Sequence, residues 1–196
     1  MSDLAKQVAE LVAREAIRTA VVLYAQAVDR RDWEGMRNAY HTDAYDDHGD
    51  YKGGVDGLID WVKHRHATVE QSMHFLGNQH IQMLSADRAL VETYCVVNQR
   101  YGPEAIETVR LWLGDGHELG PGDRISADLY CRYIDHFEQR DGAWRIARRV
   151  LVMEEVRACP VQVALLKPTW ALARRDAKDA LWLERQSAGL PGLRAG

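Results

Sequence analysis

Residues 27–53, AVDRRDWEGMRNAYHTDAYDDHGDYKG, set Asp29, Asp43, Asp46, Asp47 and Asp50 beside His41 and His48, among Trp33, Tyr40, Tyr45 and Tyr51. Carboxylates and imidazoles at this density suit proton transfer, metal ligation, or simply a solvated acidic loop. Asp29 is the sharpest case. It follows Leu11 by 18 residues, five whole helical turns at about 100° per residue, so it shares an apolar stripe and should face inward. A carboxylate near a helix C-terminus opposes the macrodipole and needs a cationic or hydrogen-bonding partner; the bland alternative is an exposed Asp in a frayed last turn. His74, in SMHFLGN, alternates with Met73 and Phe75 on a strand pattern and can point into a cavity. A lone strand histidine is more often a satisfied core or rim residue. The two acquire a joint meaning as a pair: a carboxylate accepting from one ring N–H fixes the tautomer and raises basicity, leaving the other nitrogen to take a proton.

Asp46 and His48 alternate with Tyr45 and Asp47, so one set should face a pocket and the other solvent, unless Asp46-Asp47-His48-Gly49 is only a turn. Metal ligation by His41, Asp43, Asp46, His48, His64 and His66 is discounted, because His64-x-His66 on a helix splays its imidazoles by roughly 200° and lacks the i, i+4 spacing of helical zinc pairs. Arg145 and Arg149 share a strand face by parity, with Arg132 on the preceding strand. Facing inward they could pair with Asp29 or Asp46 or bind an anionic substrate oxygen; facing outward they form a charge ladder with Glu138 and Glu154. With no G-x-G-x-x-G and no G-x-x-x-x-G-K, a nucleotide cofactor is not expected, and none of any kind is.

The elements that must position these groups are legible from periodicity. Apolar residues at three- and four-residue steps predict a helix from Leu4 to about Arg30, a short helix capped by Asp32, a short strand at Ala44–Asp47, and a third helix from Val55 to about Val69 with Leu58, Ile59 and Val62 inward. From Ser72 the pattern becomes aromatic and β-branched: strands over SMHFLGNQHIQML, RALVETYCVVNQRY, RISADLYCRYIDHFEQRDG and AWRIARRVLVMEEV, a further strand at Ala105–Leu113, a turn at Ser85-Ala86-Asp87 and a hairpin at Arg140-Asp141-Gly142. Helices first and antiparallel strands after predict an α+β domain with helices covering one face of a curved sheet.

Several of these motifs together are similar to the SnoaL-like branch of the nuclear-transport-factor-two-like superfamily: Ile17 to Asp29, the Arg31–Trp33 tripeptide, Asp43–Gly49, MHFLGN, and the closing stretch from Tyr133 to Ile146. The likeness covers about residues 8 to 155. It implies a cone-shaped α+β barrel enclosing a deep apolar pocket, and an Asp–His dyad like that of the family's dehydrochlorinase and dehydratase members falling on Asp29 and His74. Asp46, Val69, Ser72, Cys95, Val97, Leu129, Arg145 and Arg149 fall on pocket-lining positions, with Asp46 and His48 inward. The lysine that the dehydrochlorinases carry little more than a turn before the aspartate is Tyr24 here, which suits an oxygen leaving group or an enolate better than a halide.

The 196-residue chain, 46% hydrophobic with net charge -4 and scattered basic residues, has the size of one domain and no electrostatic footprint for nucleic acid. Its charged amino terminus is unlike a signal peptide, no stretch approaches a membrane span, and Cys95, Cys131 and Cys159 form no pair by spacing, so a cytoplasmic protein with reduced thiols is expected. The expected organisation is a barrel domain over residues 1–158 and an extension over 159–196, the latter forming a helix from Pro168 to about Gln186 anchored by Trp170 and Trp182. That helix would dock on its own barrel or on a neighbour across the pocket mouth, giving a homodimer or homotrimer. The expected function is a cofactor-independent lyase acting by dehydration-type elimination or carbon–carbon cleavage on a small hydroxylated aromatic or polyketide-like substrate, with His74 as base and Tyr24 or His48 as acid. The competing expectations are a silent ligand-binding module and an accessory subunit resembling the small chain of ring-hydroxylating dioxygenases.

Overall fold

The computed structural model describes residues 2–118, 120, 122–162 and 166–191. Helix α1 (Asp3–Arg30) starts at Ser2, whose hydroxyl accepts from the Ala5 N–H, and ends where Arg31 turns left-handed at φ 58° and its N–H returns to the Ala27 and Val28 carbonyls. Its buried stripe runs Ala13, Ile17, Val21, Tyr24, Val28, whereas Leu4, Val8, Leu11 and Val12 are exposed: the first turns project past the core, so the expected inward stripe holds only from Ala13 onward. Helix α2 (Trp33–Asn38) is capped by Asp32, which accepts from the Gly35 N–H at 2.9 Å. Strands β1 (Tyr40–Asp47) and β2 (Lys52–Gly54) lead into α3 (Val55–Arg65), which buries Leu58, Ile59 and Val62 as expected but stops four residues early, because Val69 already opens β3.

Strands β3 (Val69–Met83), β4 (Arg88–Tyr101), β5 (Asp123–Arg140) and β6 (Ala143–Gln162) make most of the sheet, whose order is β2-β1-β6-β5-β4-β3. The curved sheet stays open, since β2 and β3 do not pair, and every pairing is antiparallel except β1 with β6. The β5–β6 turn holds Asp141 at φ 51° and Gly142 at φ 79°, the two left-handed residues a two-residue hairpin requires.

Two expectations change. Ala105–Leu113 is not a strand: residues Ile106–Leu113 form helix α4, with Val109 buried and Trp112 edge-on to Tyr101 at 5.1 Å. Ala105, Val109 and Trp112 step by four and three, a helical period that the branched side chains disguised. Nor does the tail form a helix from Pro168. Only Ala180–Ser187 is helical (α5), capped by Asp179, because Asp176 holds the preceding segment in a turn, its carboxylate accepting from the Lys178 N–H and its carbonyl from the Asp179 N–H. Trp182 is buried as an anchor; Trp170 is 53% exposed. Among the described residues no helix is long and apolar enough to cross a membrane.

Candidate active site

The last turn of α1 delivers Asp29 to the inner face of β3, where Ser72 and His74 project on the same side by strand parity while Met73 and Phe75 point away. The His74 ring Nδ1 lies 2.6 Å from Asp29 Oδ1, the His74 backbone N–H donates to Oδ2 at 2.8 Å, and the Ser72 hydroxyl donates to Oδ1 at 2.9 Å. With Asp29 ionised, the ring nitrogen facing it must carry a proton, so in the neutral imidazole Nε2 is the nitrogen that can accept one. Burial would push the Asp29 carboxyl up, but the hydrogen bonds from the His74 ring and backbone and from the Ser72 hydroxyl hold it below the usual carboxylate range. The unfavourable position at a helix C-terminus is thus offset by three donors.

Above this pair is a cavity of about 120 Å³ lined by Tyr24, His48, Trp61, Val97, Leu129 and Tyr133 among others, room for about four waters. Asp46 and His48 do face inward, as expected. Asp46 is fully buried, accepts the Tyr40 hydroxyl at 2.6 Å, and lies 2.9 Å from His48 Nδ1. Arg149 is fully buried too, forked onto Asp135 by two 2.7 Å bonds, donating to the Tyr40 oxygen at 3.3 Å, and stacked 4.2 Å from the Tyr24 ring and 4.0 Å from that of Tyr133. Burial works against its charge, yet Asp135 and the tyrosine oxygens hold its pKa well above the ordinary value. Burial likewise raises Tyr24, which stays a phenol at neutral pH.

Val97 and Leu129 line the cavity as expected; Asp46, Ser72 and Arg149 are buried behind its lining, and Val69, Cys95 and Arg145 do not line it either. Val69 starts β3 beneath the site and offers its carbonyl to Arg31 and Arg175. Cys95 pairs across strands with Cys131, and Cys131 is the one that reaches the cavity. Arg145 points outward and donates to the Asn38 carbonyl. The parity argument fails there because β6 carries a bulge: Ile146 pairs with Phe137 and Arg148 with His136, leaving Ala147 unpaired. Arg149 therefore falls on the inner face with Ile146, and Arg145 on the outer. Arg132 is also outside, bridging Glu92 and Glu154.

Sequence reasoning missed Asp135, His66 and Arg175. Asp135 was recoverable, since in YIDHF it shares parity with buried Tyr133 and Phe137. Arg175 was not: it comes from the tail, and donates to the Val28, Asp29 and Val69 carbonyls and to His66 Nδ1 at 2.8–3.0 Å. Burial and the neighbouring Arg31 push Arg175 down to about 10, still a cation at neutral pH, while burial and these cations keep His66 neutral. Of the residues weighed as metal ligands, His41 bonds the Glu138 carbonyl and Asp43 pairs with Arg140; among the described residues no three His, Cys, Asp or Glu converge as a metal site would need.

The SnoaL-like domain model matches residues 9–150. An uncharacterised protein of Mycobacterium tuberculosis is 27% identical over 149 residues, spanning 73% of this chain and 86% of that protein. Among solved structures, the hexachlorocyclohexane dehydrochlorinase of Novosphingobium barchaimii has a TM-score of 0.64 at 18% identity, covering 83% of this chain and 99% of that one. A candidate scytalone dehydratase of Novosphingobium aromaticivorans has a TM-score of 0.62 at 19% identity, covering 77% and 90%. At these identities the solved structures establish a shared fold, and the domain match, over well more than half the chain, establishes descent: the protein belongs to the SnoaL-like family.

Proposed function

We propose that the protein is a cofactor-independent lyase that takes a proton from a carbon activated by a neighbouring carbonyl or aryl group and expels an oxygen leaving group from a small hydroxylated aromatic or polyketide-like substrate. His74 is the base and Asp29 its orienting carboxylate. The observation that carries this reading is the Ser72–Asp29–His74 network: three donors on one carboxylate fix an imidazole whose free nitrogen opens into a small, largely apolar cavity. Dehydration by scytalone dehydratase-type proteins and dehydrochlorination by the Novosphingobium enzyme are eliminations of this class, which supports extending it to this chain. The exposed outer face of β3 and β4, with Met73, Phe75 and Tyr94, supports a homodimer or homotrimer.

The test is product analysis with a panel of β-hydroxy aryl ketones and hydroxylated aromatics, comparing wild type with His74→Ala and Asp29→Asn. Alkene and water should form, and both variants should lose about 10²–10⁴-fold in kcat/KM. Turnover unaffected by either substitution would refute the dyad; carbonyl fragments in place of an alkene would replace dehydration by carbon–carbon cleavage at the same base.

A further inference from the structure

Two histidine–carboxylate pairs open onto one cavity from distant parts of the sheet order. His74 stands on β3 with Asp29 behind it; His48 follows β1 with Asp46 behind it, and β6, β5 and β4 lie between. The pairs are built alike, with Nδ1 against a carboxylate at 2.6 and 2.9 Å and the other nitrogen available to the cavity. Their surroundings have opposite sign.

Behind His48 lie two fully buried carboxylates, Asp46 and Asp135, and a single buried guanidinium, Arg149, which is forked onto Asp135. Tyr40 links the halves, donating to Asp46 while its oxygen accepts from Arg149. A buried cluster of two anions and one cation is costly unless a carboxyl keeps its proton or a further positive charge joins it; the fork of Arg149 opposes the first at Asp135, which burial otherwise raises, and leaves Asp46 to be matched. His48, with Nδ1 2.9 Å from Asp46, is the group placed to supply that charge. The other groups around it do not replace it: Trp61 and Tyr133 flank the ring as neutral aromatics, Asp50 at the cavity lining adds negative charge, and Arg65 is held over the Trp61 ring.

Behind His74 the balance is reversed. Its one carboxylate, Asp29, is already served by the Ser72 hydroxyl and a backbone N–H. Arg175 donates to the Asp29 carbonyl at 2.8 Å, and Arg31 to the His66 and Val69 carbonyls at 2.8 and 2.9 Å, so two guanidinium groups lie against the same end of α1. His66 brings no charge of its own. The β4 and β5 residues lining this part of the cavity, Val97, Gln99 and Leu129, are uncharged. One anion beside two cations favours a neutral imidazole.

We propose that these opposed fields assign opposite roles within one elimination: neutral His74 is the base, and doubly protonated His48 is the acid that protonates the leaving oxygen. This rests on the elimination reading above. The step balances: His74 Nε2 takes the proton, the C–H electron pair becomes the π bond, the C–O pair leaves with oxygen, and oxygen takes the His48 Nε2 proton. Exchange with water then returns the proton from His74 to His48. The cavity is small and lined mainly by apolar and aromatic side chains, so the substrate class narrows to small β-oxygenated carbonyl compounds, whose poor leaving group needs an acid. Tyr24, whose buried phenol holds its proton tightly, orients the oxygen instead of donating to it.

Imidazole nitrogen–proton correlation spectra of ¹⁵N-labelled full-length protein at neutral pH, assigned with His48→Gln and His74→Gln, test the fields without a substrate. Both His48 nitrogens should be protonated, and His74 should carry its proton on Nδ1 alone; a neutral His48, or a doubly protonated His74, overturns the proposal. Elimination from 4-phenoxybutan-2-one and 4-(4-nitrophenoxy)butan-2-one then tests the roles. His48→Gln should slow release of phenol at least about tenfold more than release of 4-nitrophenol, which needs little acid assistance, while His74→Gln slows both equally. Equal losses in His48→Gln would refute the acid and leave the base intact. Failure of the wild type to eliminate from either ketone would count against the elimination reading itself, with the spectra still deciding the protonation of His48.

Discussion

Asp29 carries a stability signature as well as a chemical one. Its carboxyl is held below the usual range in the folded protein, so its contribution is complete above the unfolded carboxylate value of about 3.9 and is lost as pH falls through the lower, folded value. Thermal melts between about pH 6 and pH 3 should therefore show Asp29→Asn losing less stability on acidification than wild type. A steeper loss in the variant would contradict the assignment. Arg149 is the second residue of consequence. Arg149→Met leaves Asp135 and Asp46 buried without their cation and should cost about 3–5 kcal/mol, measured by urea unfolding, with Asp135→Asn recovering part of it in the double variant. At this scale the sequence was informative where helical angle or strand parity decides direction, as for Asp29 and His74; for Ser72, Asp46 and His48 the inward direction came from the family resemblance. It was silent on two contacts: the Asp135–Arg149 pair depends on the bulge that sets the β5–β6 register, and the bond from Arg175 to the Asp29 backbone carbonyl is set by packing between segments far apart in the chain.

Among the elements, β6 shows how one residue decides chemistry. The unpaired Ala147 reverses parity along the strand, sending Arg149 into the core and Arg145 to the surface, and nothing in ARRVLV marks which residue bulges. Deleting Ala147 should close the bulge with Ile146 and Arg149 still inward and Arg148 still outward, so a cooperative thermal transition should survive; its loss would mean that the bend at the bulge is itself required. The C-terminal helix is fixed by polar contacts that hydropathy does not report. Asp179 caps α5 and accepts from Arg30 at 2.9 Å, so Asp179→Ala should lower stability by about 1–2 kcal/mol in denaturant titration. The end expected near Gln186 holds to within a residue, at Ser187; the start was misjudged because Asp176 and Asp179 offer the backbone a turn that competes with the helix.

For the molecule as a whole, helices before strands were enough to infer helices over one face of a sheet, whereas the sheet's openness and its β1–β6 pairing depend on contacts with no local signal. The outward Met73, Phe75 and Tyr94 should lie at a subunit contact, and Phe75→Glu should reduce the mass found by light scattering without lowering the melting temperature of the protomer. A monomeric wild type would remove that proposal. The order of assembly follows from where the partners lie in the chain. Tyr40 finds its strand partner at Ile146, and the carbonyls of Val28 and Asp29 find their guanidinium at Arg175, 147 and 146 residues away. Translation must therefore run 146 residues past Asp29 before the end of α1 finds its guanidinium partner, and until β6 is made Asp46 and its aromatic neighbours have no Arg149 to meet. Slow, late closure leaves a window in which apolar strand surface is open to other nascent chains, so the yield of this protein in a cell should depend on chaperone supply more strongly than its final stability would suggest.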